Sequence, residues 1–221
     1  MRLKRIRVRF RHLLFTAIAA AVLASLVPQL HAQVTATSSQ ENNPSYRQKF
    51  DLFVGGQYMH FNPGRGSQIR AINMEGWNAT GTYWFHPRVG IEESFRNVYG
   101  TIIPPTNGWG VKDYTAAQYL FLTGVAIRLG TGARYDYGIH FDIGGAYGDF
   151  DKNYPSPIKP VNIGLLNSQL DFASAFGAFY NYKVTPRWSV RLYTDYQPTF
   201  YGQTHQNEFA GALGVAYTFG K

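Results

Sequence analysis

From residue 49 onward, apolar side chains alternate with small or polar ones at a period of two, in eight runs separated by turn-forming residues. The runs are Lys49–Phe61, Ala71–Phe85, Val89–Tyr99, Tyr114–Leu129, Tyr135–Gly148, Ser168–Tyr182, Trp188–Gln197 and Asn207–Phe219. The fifth shows the pattern most plainly. Tyr135, Tyr137, Ile139, Phe141, Ile143 and Tyr147 face one way, and Asp136, Gly138, His140, Asp142, Gly144 and Ala146 face the other. Successive strand side chains point to opposite faces, so each run predicts a strand with one greasy face and one small or polar face.

The linkers alternate as well. His86–Arg88, Gly130–Arg134 and Lys183–Arg187 are short, whereas Asn62–Arg70, Gly100–Asp113, Asp149–Asn167 and Pro198–Gln206 are longer and rich in Gly, Pro and Asn. Short connections at one end and long ones at the other describe a membrane barrel with periplasmic turns and external loops. Polarity separates this from a soluble barrel, whose apolar face points inward. Here the apolar sets are too bulky for a narrow lumen: Trp77, Tyr83 and Phe85; Tyr119, Phe121, Val125, Ile127 and Leu129; Trp188, Val190, Leu192 and Tyr196; Phe209, Leu213, Val215, Tyr217 and Phe219. The reading is an all-β chain, an eight-stranded antiparallel up-and-down transmembrane β-barrel with short periplasmic turns and longer extracellular loops.

Aromatic residues are expected to form two belts at the headgroup levels. One is Tyr83, Trp84, Phe85, Tyr135, Tyr182, Trp188, Tyr217 and Phe219 near the short turns. The other is Tyr58, Tyr99, Tyr114, Tyr147 and Tyr196 near the loops. Glu93 lies on the greasy face between Ile91 and Phe95, which predicts either a bulge at Glu92–Glu93 or a carboxylate near the membrane interface.

The chain's charge of +8 comes mostly from its start. Six of the 21 basic residues, Arg2, Lys4, Arg5, Arg7, Arg9 and Arg11, precede residue 33, leaving 15 against 13 acidic ones and no case for nucleic-acid binding. The same basic segment followed by the apolar run Leu13–Val27 predicts a signal peptide over residues 1–32, cut after Ala32. The run falls short of the ~20 residues a membrane-spanning helix needs. Residues 33–48 read as a polar periplasmic leader and 49–221 as the barrel. There are no cysteines, so no disulfide, thiolate nucleophile or cysteine metal site is available.

The inward faces carry Asp51, Glu92, Arg96, Arg128, Asp136, His140, Asp142, Asp171, Arg191 and Asp195. Charges in a narrow lumen must find partners, so these are expected to form a structural ion network rather than a catalytic, cofactor or metal site. No two of the six His have ligand spacing to each other. Outer-membrane lipid A deacylases of similar size pair a His with a Ser two residues later, and no His here has that Ser. The bulky inward Phe53, Met59, Phe179 and Tyr193 speak against an open channel. Function is therefore expected in the loops, as surface contact or envelope integrity. The longest of them carries Tyr154, Pro155, Pro157 and Pro160. A narrow solute or ion channel and a lipid-modifying enzyme are the alternatives.

Lys49–Pro63, Gly76–Glu92, Trp188–Gly202 and Asn207–Gly220 together resemble the outer membrane protein β-barrel domain family, related to the transmembrane domain of OmpA and to OmpX. The resemblance covers residues 49–221 and is strongest around Arg191, Asp195 and Tyr196. The chain as a whole is expected in the outer membrane of a Gram-negative bacterium, in contact with outer-membrane lipid and lipopolysaccharide, as a monomeric barrel without a cofactor. The resemblance implies insertion by the outer-membrane assembly machinery, which reads the closing strand, here Val215, Tyr217 and Phe219. Relatives often end on an aromatic residue, whereas Gly220 and Lys221 follow Phe219 in this chain.

Overall fold

Each alternating run becomes one strand. The structure, a computed structural model, describes residues 48–63, 70–150 and 166–220. The expected signal peptide and nearly all of the leader lie outside the described residues, as do Tyr154, Pro155, Pro157 and Pro160. The strands are β1 (Phe50–Phe61), β2 (Ile72–His86), β3 (Val89–Ile102), β4 (Tyr114–Thr131), β5 (Tyr135–Asp149), β6 (Gln169–Lys183), β7 (Trp188–Thr199) and β8 (Gln206–Phe219). A 3-10 turn, Tyr201–Gln203, joins β7 to β8. Every neighbouring pair is antiparallel, and β1 closes on β8 to complete the barrel. Closure satisfies the backbone groups that an open sheet edge would leave bare in lipid.

Closure is continuous from Phe50 opposite Phe219 to His60 opposite Phe209. The rings of Phe50 and Phe219 stack with centroids 5.4 Å apart. At Gly220 the backbone turns to φ +83°. A Cβ there would stand 2.8 Å from the Phe50 ring, so glycine suits both the conformation and the crowding beside the seam.

The barrel is inside-out. Phe121, Phe209 and Leu213 are more than 60% exposed on its outer face, alongside Trp77, Tyr83, Phe85, Phe141, Phe176 and Trp188. So large an apolar exterior is stable only against lipid. Inside, one apolar cluster including Met59, Phe61, Met74, Ile102, Leu120, Phe150 and Tyr201 packs toward the long loops. A smaller one of Phe53, Trp84, Phe179 and Tyr193 with three alanines packs toward the short turns.

Two members of the expected aromatic belts face inward instead. Trp84 shares the parity of Thr82 and is buried, and its indole N–H donates to Asp51 Oδ2 at 2.9 Å. Tyr114 shares the parity of Ala116 and Gln118 and is buried as well. Proximity to a membrane interface did not override strand parity at either position. At Glu93 the register runs unbroken, Glu93 lying opposite Gly81 on one side and Thr123 on the other, so no bulge occurs. Its side chain is exposed on the outer face. It borders an external groove of about 690 Å³ that Ile91, Phe95 and Phe121 also line.

Candidate functional site: the polar lumen

Side chains of one parity from eight closed strands converge on a common axis, and the charged ones meet there. Near the short turns Asp51 of β1 is the hub. Its Oδ2 accepts from Trp84 Nε1 at 2.9 Å, Arg128 Nη2 at 3.2 Å and Arg191 Nη2 at 2.9 Å. The Arg128 guanidinium lies 3.6 Å from the Trp84 ring centroid, a direct cation–π contact. Arg128 Nη1 also donates to the Pro87 carbonyl at 3.3 Å, which ties the network to the first turn. Arg191 donates through Nε to Asn181, which in turn donates to Asp136, and Lys183 lies 3.7 Å from the same carboxylate.

Midway along the barrel, His140 of β5 has both ring nitrogens against carboxylates. Nδ1 is 2.9 Å from Asp142 Oδ2 and 3.4 Å from Glu92 Oε1, and Nε2 is 2.7 Å from Asp195 Oδ1. Arg96 of β3 closes this cluster, donating to Asp195 at 2.7 Å, to Gln197 at 3.0 Å, to Ser94 at 3.2 Å and to Asp142 at 3.5 Å. All five ionisable groups are buried. Neither imidazole nitrogen is free to take a proton from a substrate, and each faces an acceptor.

Two bonds join the clusters into one file. Arg191 Nη1 donates to the Tyr193 hydroxyl at 3.2 Å, and that hydroxyl donates to Glu92 Oε2 at 3.3 Å. Toward the loops, Gln197 Nε2 donates to Glu208 Oε2 at 3.0 Å, while Thr199 and Gln118 donate to Glu208 Oε1 at 2.7 and 3.0 Å. Hydrogen-bonded side chains thus run from the turn end almost to the loop end, and burying so many charges is tolerable only because each finds partners.

Nine of the ten residues singled out in sequence are brought together: Asp51, Glu92, Arg96, Arg128, Asp136, His140, Asp142, Arg191 and Asp195. Asp171 is half-buried near the loop end of β6 and makes no ion pair among the described residues. Glu208 escaped notice in the sequence, although it shares inward parity with Ala210, Ala212 and Ala216, a signal sufficient to place it. Gln118, Asn181 and Gln197 were missed because amides carry no charge to flag them. The expectation that no metal site forms rested on spacing between His residues. The fold instead sets Glu92, His140 and Asp142 with ligand atoms within 4.8 Å of one another.

No known protein family matches the sequence, and no curated protein does. Solved structures do match. The outer membrane protein OprG from Pseudomonas aeruginosa is 12% identical, with a TM-score of 0.57 over 80% of this chain and 99% of that one. Ail, the attachment invasion locus protein of Yersinia pestis, is 16% identical with a TM-score of 0.49, covering 78% and 99%. Neisserial surface protein A is 14% identical with a TM-score of 0.45, covering 77% and 97%. The OprG match shows the fold to be that of an eight-stranded outer-membrane barrel.

Proposed function

We propose that this outer-membrane barrel is a closed, non-enzymatic protein that acts through its external loops, in surface contact or envelope integrity. The filled lumen carries this reading. Apolar clusters occupy both halves of the interior, and the side-chain file between them is hydrogen-bonded. The channel alternative needs a water-filled path, and the enzymatic alternative needs a free base beside a nucleophile; His140 is held between carboxylates instead.

The β3–β4 connection has the form a contact loop needs. Asn107 organises it, donating to the Pro105 and Val111 carbonyls and accepting from the Trp109 and Val111 amides, with Gly110 at φ +70° completing the turn. Trp109 is 59% exposed and Ile103 71% exposed. A large aromatic held on an ordered turn binds at low entropic cost. Contact with lipopolysaccharide, the monomeric state, and insertion by the assembly machinery through Val215, Tyr217 and Phe219 belong to the same proposal.

Two measurements test it. Purified protein in a planar bilayer is expected to give no stepwise conductance; regular steps would return the channel reading. Cells displaying Trp109→Ala are expected to lose attachment to a surface that wild-type cells bind, with equal barrel levels in the membrane. Unchanged attachment would remove the loop from the proposal.

A further inference from the structure

The structure assigns a divalent-cation site to the centre of the lumen, formed by Glu92, His140 Nδ1 and Asp142. Three features support it, each independent of any charge count. The first is spacing. An ion about 2.0–2.2 Å from imidazole nitrogen and carboxylate oxygen holds tetrahedral ligands about 3.3–3.6 Å apart. His140 Nδ1 lies 3.4 Å from Glu92 Oε1, inside that range, while Asp142 Oδ2, at 2.9 Å, draws back by about 0.4 Å to ligate.

The second is which oxygens are left over. Glu92 Oε2 accepts from Thr82 and Tyr193, yet the buried Oε1 accepts no hydrogen bond and faces the imidazole. Asp142 Oδ1 is likewise buried without a donor. Gly124 keeps that oxygen open, since a Cβ there would stand 2.4 Å from it. Orphaned buried acceptors are costly, and a cation held by the two carboxylates offsets that cost.

The third is the support behind the ligands. His140 Nε2 meets Asp195 Oδ1 at 2.7 Å, and Arg96 holds Asp195 in turn, so a carboxylate orients the ligating ring. Gly177 makes the room, since a Cβ there would lie 2.0 Å from Asp195 Oδ1 and 2.9 Å from His140 Nε2. Imidazole with carboxylates suits a zinc-like transition ion better than Mg²⁺. Both ends of the lumen are filled, so the ion enters as the barrel closes and acts as an internal staple.

The test uses the full-length protein, unfolded in urea and refolded into detergent with Zn²⁺, Mg²⁺ or EDTA, then desalted for elemental analysis. Zinc at one ion per folded chain is expected, with a higher urea midpoint than in EDTA and no such rise with Mg²⁺. Glu92→Gln and His140→Asn are expected to abolish the bound zinc, and Asp195→Asn to weaken its affinity by about 10–100-fold. Folded wild type without zinc above background overturns the site. So does zinc retained by folded Glu92→Gln, since the ion then sits elsewhere. Should both ligand variants misfold, Asp195→Asn decides: unchanged zinc affinity in that variant overturns the site.

Discussion

Replacing Arg96 with Met is the sharpest perturbation of the lumen, because it keeps an unbranched apolar stem and removes the guanidinium with its charge and donors. Arg96 is fully buried and donates to Asp195 at 2.7 Å, Gln197 at 3.0 Å, Ser94 at 3.2 Å and Asp142 at 3.5 Å. Its loss leaves two buried carboxylates that retain only His140. Breaking one buried pair by removing a partner costs about 3–5 kcal/mol, and the remaining imidazole contacts hold the expected loss near the middle of that range, about 4 kcal/mol. Most of this penalty is the stranded charge, so Arg96→Met with Asp195→Asn is expected to recover about 1–2 kcal/mol relative to the sum of the single losses. The assay is urea unfolding of the refolded barrel in lipid vesicles with EDTA present, followed by the mobility difference between unboiled and boiled samples and by Trp fluorescence. A lower midpoint at unchanged slope reports a stability change alone. A loss under about 1 kcal/mol for Arg96→Met, or strict additivity in the double variant, would refute the view of the lumen as a mutually dependent ion network.

Other expected outcomes use the same assay. Trp84→Phe removes the indole donor to Asp51 and weakens the stack under Arg128, for an expected loss of about 1–2 kcal/mol. Glu93→Leu replaces a lipid-facing carboxylate and is expected to raise stability by roughly 1 kcal/mol; a loss would mean that Glu93 has a stabilising partner. At Gly177 a Cβ would meet Thr194 O at 2.3 Å as well as Asp195, so Gly177→Ala is expected to cost about 1–3 kcal/mol. Gly81→Ala, with nothing within 4 Å of the added carbon, is expected to gain about 0.5 kcal/mol. Equal effects of the two alanines would show that backbone entropy, not crowding, governs these sites.

Much of the barrel is legible in the sequence because its governing property is local. A strand alternates faces every residue, so the parity of Tyr135 to Ala146 is settled within a dozen positions and needs no knowledge of the partner strand. Strand number, the alternation of short and long connections, and the inward set follow from it. Parity even outranks other cues: it places Trp84, Tyr114 and Glu208 inside, where a belt of interfacial aromatics or a lone acidic residue in the last strand suggested otherwise or went unremarked. The fold of OprG over 99% of its own length agrees with that reading.

Only the closed structure decides which inward side chains meet. Arg96 and Asp195 are 99 positions apart, and Arg191 and Asp51 are 140 apart. Their contact depends on the register of every intervening pair and on how β1 staggers against β8, quantities to which no local pattern is sensitive. The same holds for Glu93, where the absence of a bulge rests on its pairing with Gly81 and Thr123. It holds also for Glu92, His140 and Asp142, since β3 and β5 converge only through the curvature of the intervening β4. The period of the strand set which residues turn inward, and barrel closure set their partners, because cross-lumen distances depend on the summed stagger of all eight strands.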